Sequence, residues 1–88
     1  MRLKQALERL HHFSGQMDLK QDLVEAAERY YKLAFNREFI QGRSVDSVAA
    51  VCLYIACRVQ KSPYLLIDFA DCTQIDMYRL GQVYMQLV

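Results

Sequence analysis

The residues from Val48 to Cys57 form an unbroken apolar run in the middle of the chain. A helix that is apolar on every face requires neighbours all around it, so this run predicts a central helix enclosed by others. The run is too short to cross a bilayer and ends at Arg58. The side chains expected to be nearly inaccessible are those of Ala49, Cys52, Ile55 and Ala56.

Cap residues predict where this central helix and the later helices begin and end. Ser44 is a suitable N-cap for a helix from Val45 to about Lys61, and Pro63 prevents its continuation. A short helix is predicted for residues 65–71, and Asp76 caps a final helix that runs to the chain end. Gly81 lies inside that final helix, where a glycine costs about 1 kcal/mol relative to alanine, and it predicts a close approach of another helix.

Two earlier apolar stripes, at three-and-four spacing, predict two amphipathic helices before the central one. Ser14 and Gly15 are expected to end the first of them. Asp18 is then expected to be the N-cap of the second, with Gln21 completing a capping box. That second helix is predicted to run to about residue 41, where Gly42 provides a C-terminal cap.

Composition favours a protein partner over the role of a strongly basic DNA-binding protein, and the motifs do not suggest an enzyme. The chain has 88 residues, enough for one domain, and a formal net charge of +1 with only mild alternation of sign along its length. Three cysteines without regular spacing predict reduced core residues, and no metal site or cofactor is expected. His11 and His12 have no obvious partner for acid or base chemistry, so no catalytic residues are assigned.

Five helices around an enclosed third one suggest a cyclin-like all-α fold, although pattern alone leaves other small helical bundles open. The segment from Gly42 to Arg58, followed by Pro63, Ile75 and the Leu80-Gly81 pair, resembles the first cyclin-type repeat of transcription factor IIB and its relatives. Within that family, segments 64–71 and 74–81 are most similar to the B-related factor subunit of TFIIIB, the RNA polymerase III initiation factor. Residues 1–88 are accordingly interpreted as this first repeat, without the family's zinc ribbon and second repeat.

This resemblance implies a non-catalytic, nuclear module that bridges the TATA-binding protein, promoter DNA and RNA polymerase III, with no membrane and no small-molecule substrate involved. Arg43 matches the family position that approaches the DNA backbone beside the TATA element. Arg58 and Lys61 are further candidate phosphate contacts, although both residue types also suit the negative end of a helix dipole. This repeat alone is expected to bind duplex DNA weakly and without sequence preference.

The last two helices resemble a helix-turn-helix, but their charges argue against reading DNA bases. Arg79 is the only cation at the family's basic positions or beside them, and Tyr64 replaces a family arginine. The residues at the basic family positions are Gln74, Met77, Tyr78, Gln82 and Met85. We therefore expect Tyr64, Met77, Tyr78 and Arg79 to contact a protein partner, and Met85 to cover the core or an adjoining repeat.

Two alternatives remain open at this point. The chain could be the first repeat of a general or archaeal transcription factor IIB, which the full parent sequence would distinguish by its C-terminal extension. A kinase-regulating cyclin is the weaker alternative, because its characteristic lysine and glutamate pair and longer first repeat are not evident.

Overall fold

A computed structural model describes residues 3–36 and 44–87, which form five helices and no strand within those ranges. They are α1 (Leu3–Gln16), α2 (Gln21–Asn36), α3 (Val45–Val59), α4 (Leu66–Thr73) and α5 (Met77–Leu87). The third helix packs against each of the other four. The expected all-α, cyclin-like arrangement with a central third helix is therefore confirmed. None of these helices has the length and apolar character needed to cross a membrane.

The enclosure of α3 is complete only in its first half. Every side chain from Ser47 to Leu53 is buried, with at most 1% exposed. Ala49, Cys52 and Ala56 are inaccessible as predicted, but Ile55 is only half-buried, so that part of the prediction was wrong. At 100° per residue, Ile55 lies on the same side of the helix as the exposed Val59, a side that the surrounding helices leave partly open beyond Leu53.

The first helix ends later than the sequence suggested, and Asp18 does not start the second. Gly15 lies within α1, and Asp18 follows the helix with a left-handed backbone, φ 56°. The Asp18 N–H donates to the Gly15 carbonyl and the Leu19 N–H to the Ser14 carbonyl, which is the Schellman arrangement for a helix C-terminus. The predicted N-cap role of Asp18 was wrong because this residue terminates α1.

The caps of the later helices agree better with the sequence. The Ser44 hydroxyl accepts a hydrogen bond from the Ser47 N–H at 3.4 Å, as an N-cap should. A second Schellman motif closes α3, in which Lys61 is left-handed with φ 58° and the Ser62 N–H donates to the Cys57 carbonyl at 2.8 Å. Asp76 accepts from the Tyr78 N–H at 3.4 Å, so the predicted cap of α5 is confirmed.

One further expectation about helix packing was wrong, and another was wrong in part. A Cβ atom added to Gly81 would meet nothing within 4 Å, so no other helix lies close to this glycine in the described residues. Met85 is 76% exposed and does not cover the core, whereas the alternative that it covers an adjoining repeat stays a prediction. Both residues belong to the outward side of α5. The predicted end of α2 and the cap at Gly42 lie outside the described residues.

Candidate functional site

The N-terminal end of α3 carries an ion pair that sequence spacing does not reveal. Arg9, on α1, donates to Asp46 from Nε at 3.0 Å and from Nη2 at 3.2 Å, a bidentate geometry that fixes the guanidinium. The Arg9 Cζ atom also lies 4.9 Å from the centre of the Phe13 ring. The hydrogen bond to Asp46 raises the pKa of Arg9. Arg9 therefore places a positive charge in a fixed position at the start of α3. The predicted DNA contact Arg43 precedes this helix in the sequence and lies outside the described residues.

Arg58 lies near the opposite end of α3 and is held by tyrosines. Its Nη1 donates to the Tyr54 hydroxyl at 3.2 Å, and its Cζ atom is 5.8 Å from the centre of the Tyr54 ring. The Tyr54 ring makes edge-to-face contacts with Tyr84 at 5.4 Å and Phe69 at 5.9 Å. The hydrogen bond to Tyr54, with a smaller contribution from Tyr84, raises the pKa of Arg58. Arg58 is therefore an exposed cation in a fixed position.

Of the basic residues predicted to contact phosphates, Arg58 and Lys61 lie at the C-terminal end of α3, and Arg43 lies outside the described residues. A helix of 15 residues is about 22 Å long at 1.5 Å per residue. Ser44 and Lys61 lie at opposite ends of α3, so Arg58 and Lys61 are separated from the start of this helix by most of that length. A single phosphate group cannot contact both ends.

Lys61 and Tyr64, predicted to bind different partners, line one cleft between the α1–α2 turn and the α3–α4 connection. The cleft has a volume of about 390 Å³. Two hydrogen bonds join its walls, from the Tyr64 hydroxyl to the Met17 carbonyl at 3.3 Å and from the Gln60 side chain to the Asp22 carbonyl at 3.4 Å. The residues that line it are Asp18, Lys20, Leu23, Gln60, Lys61, Ser62, Pro63 and Tyr64.

The other predicted partner contacts lie on α5. Tyr78 is 73% exposed and Met77 46% exposed, and Arg79 is exposed beside them. Met85 lies on the same face of α5, two turns after Tyr78. Arg79 is the only charged residue within this helix. The four predicted partner contacts thus fall into two regions, with Tyr64 in the cleft and the other three in the first turn of α5.

The groups capable of metal or acid-base chemistry are dispersed. Cys52 and Cys57 are buried and Cys72 is half-buried, all as free thiols, and burial raises the pKa of Cys52 to about 12. His11 does find a partner, which the sequence did not suggest, because its Nε2 lies 2.5 Å from Glu28 Oε2 across the α1–α2 contact. Within residues 3–36 and 44–87, no three such side chains come together as metal ligands.

Comparison with known proteins finds one family over the whole chain. The family model described as transcription factor TFIIB repeat matches residues 1–88. Among similar proteins, the transcription factor IIIB 60 kDa subunit of Schizosaccharomyces pombe is 45% identical over 71 residues, which is 81% of this chain and 14% of that protein. The transcription factor IIIB 70 kDa subunit of Saccharomyces cerevisiae is 36% identical over 98% of this chain and 14% of its own length.

An archaeal relative shows similar identity. The transcription initiation factor IIB of Pyrococcus furiosus is 38% identical over 90% of this chain and 26% of its own length. The chain thus spans about a seventh of the two IIIB subunits and about a quarter of the archaeal factor.

Proposed function

The chain belongs to the transcription factor TFIIB repeat family, and from this premise we propose that it is the first cyclin-type repeat of a TFIIIB subunit of the B-related type. In this role it is a non-catalytic nuclear module that bridges the TATA-binding protein, promoter DNA and RNA polymerase III. The observation that carries the proposal is the 45% identity to a IIIB subunit over most of the chain.

The start of α3 is the end of the molecule that best fits a contact with the DNA backbone. Arg43 immediately precedes the N-cap Ser44, and the first backbone N–H groups of a helix favour a phosphate. Arg9 adds a second positive charge there, although Asp46 neutralises it locally. We assign Arg43 as the principal phosphate contact and Arg58 as a secondary one. Lys61, predicted as a third, lines the same cleft as Tyr64.

The protein contacts are assigned to the outer side of α5 and to Tyr64. An exposed face that is aromatic and thioether-rich and carries one charge suits a protein better than a polyanion. In this proposal Met77, Tyr78 and Arg79 contact the TATA-binding protein or the polymerase.

Titration by fluorescence anisotropy tests the DNA part of the proposal. The isolated chain should bind promoter and scrambled duplexes equally and weakly, with a salt slope no steeper than about −2.7 even if three phosphates are contacted. Arg43→Glu should weaken assembly with the TATA-binding protein on promoter DNA, whereas Lys32→Glu, an exposed charge reversal on α2, should not. Submicromolar, sequence-dependent binding by the isolated chain would contradict the assignment, because it would mean that α4 and α5 read bases.

A second candidate is the first repeat of a general or archaeal transcription factor IIB, which the 38% identity to the Pyrococcus factor supports. The two candidates differ in the polymerase that they recruit. The full-length protein should co-purify with RNA polymerase III and restore transcription of its genes to a depleted extract. Restoration of polymerase II transcription instead would favour the second candidate.

A further inference from the structure

We draw no further inference here: the strongest candidate, the exposed face of α5 around Met77 and Tyr78, belongs to the partner surface already proposed, and nothing in the structure shows what covers it.

Discussion

The two halves of α3 are both largely apolar, but the second is covered by other helices on only part of its surface. From Ser47 to Leu53 the helix is covered on all sides, whereas in its last two turns Val59 is 63% exposed. The first half is tied to α1 by the charged pair of Arg9 and Asp46, and the second half ends in a cationic and aromatic cluster around Arg58. An apolar helix can therefore serve as the core at one end and as a surface at the other. Substitutions in the two halves should have very different effects.

The largest expected effect comes from overfilling the first half. Ala49 is completely buried, so Ala49→Leu should destabilise the protein by about 1–3 kcal/mol. The melting temperature should fall by at least about 4 °C. Val59→Leu, on the exposed half, is the matched control and should change stability by no more than about 0.5 kcal/mol. Equal melting temperatures for the two variants would contradict the enclosure of α3.

A smaller effect of opposite sign is expected at Tyr31, which packs against the first half from α2. Its side chain is fully buried, and its hydroxyl has no hydrogen-bond partner among the described residues. An unsatisfied buried hydroxyl costs about 1–3 kcal/mol. Tyr31→Phe should therefore leave stability unchanged or raise it by about 1 kcal/mol in urea unfolding. A clear loss of stability would mean that the hydroxyl is hydrogen-bonded in solution.

Alkaline pH should lower the free energy of unfolding through two groups, Tyr31 and Cys52, that are buried around the first half of α3. Burial, followed by the nearby charges of Cys52 and Asp46, raises the pKa of Tyr31 from 10.0 to about 12, and burial raises that of Cys52 from 9.0 to about 12. Because the folded protein holds these protons more tightly, the stabilisation is complete below pH 9 and is lost as pH rises toward 12. The double variant Tyr31→Phe, Cys52→Ala should lose less stability over that interval than the unmodified chain. If the two proteins lost the same stability between pH 9 and pH 12, ionisation of Tyr31 and Cys52 would not be the cause of the loss.

The smallest effect is expected from the exposed charges at the two ends of α3. Double-mutant cycles of Arg9 with Asp46 and of Arg58 with Tyr54 measure each coupling separately. The first coupling should weaken with added salt because both partners are charged, whereas the second should change little because a neutral hydroxyl and an aromatic ring are involved. The same salt dependence for both would indicate that Arg58 is stabilised by charge and not by Tyr54.

The sequence predicted where helices begin and end more accurately than it predicted which of their side chains are covered by other helices. Ser44 and Asp76 were identifiable as caps because capping depends on adjacent residues. The exposure of Ile55 was not predictable, because an apolar run reveals helix character but not how far the neighbouring helices extend along it. The same limit explains Gly81, where the cost of a mid-helix glycine was attributed to a close contact that the described residues do not provide.

The candidate sites show this limit more strongly. The pairing of Arg9 with Asp46 joins positions 37 residues apart, and no local pattern indicates it. Similarly, Lys61 and Tyr64 were recognised separately, but their cleft also requires Asp18 and Lys20 from the α1–α2 turn. The cleft was not predicted because Asp18 was interpreted as the N-cap of α2, whereas it is the left-handed residue that terminates α1.

The three thiols differ in burial, so their reaction rates can be used to measure local opening of the helices around α3. Cys72 is half-buried beside Gln16, whereas Cys52 and Cys57 are inaccessible within α3. A small thiol reagent should therefore modify Cys72 through minor fluctuations and Cys52 only when the first half of α3 is uncovered. The ratio of these modification rates reports the free energy of opening the centre of the repeat. If a bound partner stabilises the whole fold, it should slow the reaction at Cys52 more than at Cys72.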